Sequence, residues 1–392
     1  MLIKSIYDRP MSMLQSDEAA RRLGVKLATL YAYVSRGLLV SHRSPDGRRS
    51  LFSVDDIERL ARRTREGQRT EGRLATVTTS LTQLRDDGPT YRGRSAVELA
   101  RTASFESVAD LFWAAEPGPW EPVPLGPVPP LSEPDRLAWA VLVAAAADPT
   151  RSDIRRDAVV GAGRRIVSTM VSALPEPQGD RGDTDGSIAH ALAARLVADP
   201  SPAVVRAVNA AMVLLVDHEL ATSTLAVRVA ASARADPYDA LLAGLSTVAG
   251  ALHGGASSLV HALLVAAEHD GPVQAVDDAV RGQRLLPGFG HPVYRNGDPR
   301  LGVLMECVAD VAGPEVMDLV TSITELARAR QLPEPNLDLG LGALTYAGGM
   351  SPAAGRTIFT IPRVVGWVGH YLEELQERPL RFRARAVYVA EP

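Results

Sequence analysis

The sequence predicts a mainly α-helical protein whose first 70 or so residues form a separate helix-turn-helix head. Three observations carry this. At 392 residues the chain is longer than one hydrophobic core usually organises. Helical patterns recur from Arg136 to the C-terminus, with little strand-like alternation after residue 90. The charge is also divided: residues 1–70 hold 14 Lys and Arg against 8 Asp and Glu, and the remainder 28 against 38. A basic head on an acidic body points to parts with different partners.

With 46% apolar and 22% charged residues the composition is that of an ordinary soluble chain and excludes general disorder. The longest apolar run, Leu137 to Ala147, is too short for a bilayer, so no membrane partner is expected. No signal peptide is visible at the N-terminus, and the single cysteine, Cys307, rules out an internal disulfide. The cytoplasm is the expected location.

In the head, Ser16 is placed to cap a first helix, Gly24 breaks it, a second helix runs from about Leu27 to Arg36, and Gly37 stops it. Helix, short turn, helix is the elementary DNA-reading hairpin. Ser44-Pro45-Asp46-Gly47 then makes a turn between short extended pieces. Ser53 or Asp55 caps a third helix bearing Arg59, Arg62 and Arg63. Over about 55 residues this resembles the winged helix-turn-helix domains of the mercury-resistance-regulator type. The resemblance makes Tyr31, Arg36, Arg48 and Arg49 the candidate DNA contacts. Packing on the body or dimerisation are the other uses open to such a hairpin.

A Gly/Thr/Arg stretch, Arg65 to Arg73, reads as a linker. Strand-like residues follow around Ala75 to Leu84, then two amphipathic helical pieces. Residues 117–134 hold eight prolines, which forbid regular structure there, and Gly179 to Gly186 is another loop.

Four stretches of the body carry chemistry: VDHELATST with His218, ALHGGASS with His253, LPGFGHPVYRNGDPR with His291, Arg295 and Arg300, and PEPNLDLGLGAL with Asp338. Each has a structural reading alone, since a histidine before Gly-Gly can close a helix and an Asp after Asn can cap one. Their order and contexts together resemble the citrate synthase family along nearly the whole chain after residue 72. LHGGA resembles that family's LHGGANE, GFGHPVYRNGDPR its GFGHxVYKxxDPR, and PNLD its PNVDFYSG. DHELATST, YRGRSAVELARTASFESVADLFW, IPRVVGWVGHYLEEL and RFRARAVYV also resemble family segments.

The resemblance implies condensation of acetyl-CoA with oxaloacetate, with acetyl-CoA as co-substrate and neither metal nor permanent cofactor. The methyl group of acetyl-CoA is a very weak acid, so a carboxylate must take its proton while donors stabilise the developing oxygen charge. The resemblance makes Asp338 the base, His253 the donor to the thioester carbonyl and His291 the donor to the ketone. Guanidinium forks suit the two carboxylates of oxaloacetate. Arg300, Arg363 and Arg383 match the family's substrate arginines, the last reaching across a homodimer, and His218 matches a further pocket histidine. Arg295 matches a cation for CoA phosphate, and the backbone of residues 285–290, with Leu286, Gly288 and Gly290, would border the nucleotide.

The implied fold is all-α: a large domain of residues 72–256 with 341–392, a small domain of 257–340, and the head and linker over 1–70. The chain departs from the family pattern at Ser257 and Ser258, where Asn-Glu is usual, and at Leu339, Gly340 and Leu341, where Phe-Tyr-Ser is usual. Pro292 and Ala384 are further departures. A 2-methylcitrate synthase using propionyl-CoA differs by one methylene in the acyl pocket, which the sequence does not resolve. A transcription regulator with a synthase-like sensing body is the other reading left open.

Overall fold

The structure is a computed structural model of residues 13–23, 25, 27–35, 39–44, 49–54, 56–57, 77–177, 186–250, 254–283, 285–383 and 388. The chain divides into two compact units, Met1–Val77 and Thr78–Pro392.

The first unit is a small helix-turn-helix with a three-stranded sheet. Helices Ser16–Leu23 and Leu27–Ser35 follow the strand Met13–Gln15. That strand pairs antiparallel with Ser50–Ser53, Met13 opposite Ser53, and His42–Arg43 pairs on the other edge, His42 opposite Leu51. Leu30, Phe52 and Ile57 are fully enclosed, with Leu14, Ala19, Ala20 and Leu39 around them. The extended pieces expected around residues 44–47 are present as strands His42–Arg43 and Ser50–Ser53. The N-terminal strand was not anticipated: three residues are too few to show alternation. Ser16 is the first helical residue, and its hydroxyl bonds the Tyr31 hydroxyl at 3.0 Å and donates to the Ser50 carbonyl at 3.4 Å. It thus ties the two helices to the sheet.

The second unit opens with a meander of Thr82–Arg85, Gly88–Tyr91 and Arg94–Ser95, turned at Gly88 with φ +119°. Two of these strands lie where the sequence showed no alternation, because Gly88–Tyr91 is buried on both faces. The other elements among the described residues are helices. Ser95, Ser104, Ser187, Ser201 and Asp236 each accept a backbone N–H at a helix start, as short polar side chains do there. The proline-rich stretch carries no helix or strand between Ala114 and Ser132, and Trp120 stacks on Trp113 with centroids 5.8 Å apart.

Helix Ala354–Glu374 is buried over most of its length, with Arg363, His370 and Glu374 enclosed among its apolar residues. It packs against helices Arg156–Ala173, Pro202–Leu214, Thr222–Ser232 and Pro237–Val248. Small residues allow this: a Cβ on Gly244 would meet Trp367 at 3.0 Å, and one on Gly369 would meet Phe112 at 2.7 Å. Helix Leu337–Ala347 is held between Ala256–Asp270 and Pro299–Val311 in the same way, with Gly340 against Leu304. Among the described residues no helix is long and apolar enough to cross a membrane.

Candidate active site

The GFGHPVYRNGD part of the stretch folds as a loop stitched to the segment that precedes Asp338. Phe289 forms an isolated antiparallel bridge with Pro335. The Gly290 N–H donates to the Glu334 carbonyl at 2.8 Å, and the Asn336 N–H donates to the Gly288 carbonyl at 2.9 Å. Asn336 adds its side-chain amide, donated to the Gly290 carbonyl at 2.6 Å. Gly288 and Gly290 have φ of +81° and +83°, a region that favours glycine. A Cβ on Gly288 would also stand 2.7 Å from Val260 and 3.1 Å from the Leu339 backbone. These glycines therefore serve the close packing of loop on helix, a need the sequence did not separate from approach to a nucleotide.

Asn336 caps helix Leu337–Ala347 by accepting the Asp338 N–H at 2.9 Å, which sets Asp338 in the first turn. Asp338, His291, His218, Arg300 and Arg363 all line one cleft of about 1070 Å³, whose wall also includes Leu286, Gly288, Gly290 and Phe359. Burial pushes the Asp338 carboxyl up to about 6; Arg300 opposes this, Asp298 adds to it and Arg363 opposes it. The base strength rises while the group stays ionisable near neutral pH.

His291 accepts two backbone N–H groups at Nδ1, from Val293 and Tyr294, each at 3.1 Å. In the neutral ring the proton then sits on Nε2. Burial and the Arg300 charge hold the ring below its usual pKa, so it stays a neutral donor. It stacks on Tyr294 at 5.0 Å and meets His218 edge-on at 5.2 Å. Burial, with Arg300 and Arg363 nearby, drives the His218 pKa far down, and its Nε2 is enclosed without a partner.

The two buried arginines on the cleft wall differ. Arg300 is gripped by Asp298, Nε to Oδ1 at 2.9 Å and Nη2 to Oδ2 at 2.8 Å, and lies 5.6 Å from the Tyr294 ring centroid. Asp298 also caps the helix that begins at Pro299. Arg363 has Nε and Nη1 buried without a partner and lies 4.9 Å from the Phe359 ring centroid. Two unpaired guanidinium donors on a cleft wall suit an incoming carboxylate, since leaving them unpaired is costly.

His253, Arg36 and Arg48 lie outside the described residues. Arg295 is exposed and is not part of the cleft wall. Arg383 is exposed as well. In the head, Tyr31 is exposed and Arg49 donates to Gln15 Oε1 at 3.1 Å and, through its backbone, to Ser44. Asp298, Tyr294 and Phe359 were not singled out from the sequence. Asp298 was legible in principle, since Asp-Pro before a helical run marks a cap.

The family model for the citrate synthase C-terminal domain matches residues 135–385. The chain belongs to the citrate synthase family. A helix-turn-helix domain model matches residues 13–65. A citrate synthase of Dictyostelium discoideum is 34% identical over 206 residues, covering 48% of this chain and 39% of the relative. The chain thus matches about half or less of the length of the first relatives. Citrate synthase 2 of Bacillus subtilis is 28% identical over 369 residues, covering 81% of this chain and 94% of the relative. Among solved structures, a citrate synthase of Thermoplasma acidophilum, in ternary complex with carboxymethyl coenzyme A and oxaloacetate, superimposes with a TM-score of 0.67. It is 22% identical and covers 82% of this chain and 96% of its own. The family resemblance and the helical fold expected from the sequence are borne out.

Five of the departures from the family pattern have local structural accounts, and Ala384 lies outside the described residues. Ser257 is buried against Gly355, on which a Cβ would stand 2.6 Å from the Ser257 hydroxyl, and Ser258 donates to the Pro352 carbonyl at 2.7 Å. Leu339 packs on Gly288, Gly340 admits Leu304, and Leu341 lines the cleft one turn beyond Asp338. Pro292 is exposed on the cleft rim, and nothing in the structure explains it.

Proposed function

We propose that this citrate synthase family member condenses acetyl-CoA with oxaloacetate to citrate and free CoA. The observation that carries the reading is Asp338: a carboxyl with its pKa raised to about 6, sharing a cleft with a neutral His291 and with Arg363, whose donors are unpaired. Asp338 takes a proton from the acetyl methyl group while His253 donates to the thioester carbonyl oxygen, giving an enol. The enol carbon attacks the ketone of oxaloacetate, whose oxygen is polarised by the Nε2 proton of His291. Arg300 and Arg363 hold the carboxylates, with His218 beside them. Water then attacks the citryl thioester and CoA leaves as the thiol.

In this reading the enzyme is a homodimer and Arg383 of a second copy completes the carboxylate site. Arg295 pairs with CoA phosphate, and Leu286, Gly288 and Gly290 border the nucleotide. Residues 257–340 close as a small domain over residues 72–256 and 341–392, excluding water while the enol exists. A cytoplasmic setting, suited to a single cysteine, belongs to the same account. The test is Asp338→Ala, which should abolish thiol release while oxaloacetate still binds; surviving activity would refute the assigned base.

The helix-turn-helix match favours a second property, contact with DNA through Tyr31, Arg36, Arg48 and Arg49. A salt-dependent electrophoretic shift of the DNA upstream of its own gene is expected. Absence of any specific shift would reduce the head to a structural appendage.

A further inference from the structure

The IPRVVGWVGHYLEEL segment carries buried polar groups beyond Arg363. In the structure Arg363, Gly366, His370 and Glu374 follow one another at intervals of three or four along helix Ala354–Glu374, and so share one face. The turn that carries His218 lies against that face: a Cβ on Gly366 would stand 2.8 Å from Asp217 Oδ1. Asp217 is fully buried, and its Oδ2 accepts the Glu219 N–H at 3.1 Å and lies 3.3 Å from His370 Nε2.

The chain of charges continues inward. Arg228 Nη1 stands 2.8 Å from His370 Nδ1. A guanidinium only donates, so Nδ1 accepts and the His370 proton is on Nε2, aimed at Asp217. Arg228, with no exposed surface, donates Nε to Glu374 at 2.9 Å and Nη1 to Glu373 at 3.0 Å. Arg381 closes the series with a fork onto Glu374, both bonds 2.6 Å. Charged and polar groups thus run without a break from the C-terminal tail to the residue before His218.

Such a series is expensive to bury, and apolar residues in its place are often no less stable. Stability is therefore a poor account of it. Its inner end is more telling. Asp217 is the chief attractive charge acting on Arg363, and both Arg363 and the neighbouring His218 present buried nitrogens without a partner.

We propose that Asp217, held by His370, is a positioning residue that fixes the Arg363 guanidinium and the His218 ring so that their free nitrogens face a substrate carboxylate. Through Arg228 and Glu374 the same residue is tied to the tail at Arg381. The inference rests on the reading of the cleft as a site for a 2-oxo dicarboxylate.

The test is oxaloacetate binding to the full chain by titration calorimetry without acyl-CoA, alongside steady-state kinetics. Asp217→Asn should weaken oxaloacetate binding by about tenfold or more. KM for the acyl-CoA should move by no more than about twofold, since the loss is of carboxylate binding alone. His370→Leu should weaken oxaloacetate binding similarly, and His370→Gln, whose amide can still donate to Asp217, should restore most of it. Glu306→Gln, on a surface pair with Arg101, is the neutral control. Unchanged oxaloacetate affinity in Asp217→Asn overturns the proposal, as does equal weakening of both substrates. If Asp217→Asn does not fold, the His370 pair decides, and equal affinity in its Leu and Gln variants overturns it. A parent protein that binds no oxaloacetate refutes the reading of the cleft itself, a result separate from an active parent with indifferent variants.

Discussion

Replacing Asp338 by Asn should make the protein inactive and more stable, and the gain should depend on pH. Burial moves this carboxyl from 3.8 to about 6, against the pull of Arg300 and Arg363. At about 1.4 kcal/mol per pH unit, a shift of about 2 units means that ionised Asp338 costs the fold roughly 3 kcal/mol. That figure is an upper bound, because the residue keeps some surface toward the cleft. Below pH 3.8 the group is protonated in folded and unfolded chains alike, so it costs nothing. Between 3.8 and 6 the folded protein holds a proton that the unfolded chain has released, so stability falls as pH rises. Above 6 the full cost applies. Urea unfolding followed by the helical circular dichroism signal should find Asp338→Asn more stable by up to about 3 kcal/mol at pH 8, the gap shrinking by about half at pH 5. An Asn variant less stable than the parent at pH 8, or a gap that does not grow with pH, would refute the strained-carboxylate reasoning.

Because the base must be ionised, the rate of condensation should rise with pH through a midpoint near 6; a midpoint near 4 would show an unperturbed carboxylate. Arg300→Gln should cost about 3–5 kcal/mol by thermal or urea unfolding, because it strands the buried Asp298 charge. Adding Asp298→Asn should recover part of that loss, and a purely additive double variant would contradict the pairing. Gly288→Ala should cost about 1–3 kcal/mol in a melting experiment, since its Cβ would meet Val260 at 2.7 Å. A neutral Gly288→Ala would mean that the loop shifts freely.

Much of the site could be read from local sequence because its parts are loops and caps. Pro-Asn before Asp338 announces a helix start, and Gly-Phe-Gly-His announces a backbone that is neither helix nor strand. What stayed hidden depends on residues far apart in the chain. Asp217 and His370 are separated by 153 positions and Arg228 and Glu374 by 146, so no local period reveals their bonds. The grip of Asp298 on Arg300 spans two residues, yet the same Asp-Pro also serves as a cap, and the cap alone accounts for it in sequence. Strands Met13–Gln15, Gly88–Tyr91 and Arg94–Ser95 were missed for a simpler reason: segments of two to four residues, one of them buried on both faces, show no alternation.

The central claim is tested most directly by giving the purified full chain oxaloacetate together with acetyl-CoA, or with propionyl-CoA, and following free thiol. The account predicts thiol release that requires both substrates, with acetyl-CoA effective and citrate formed in equal amount. No thiol release with either acyl-CoA would contradict it.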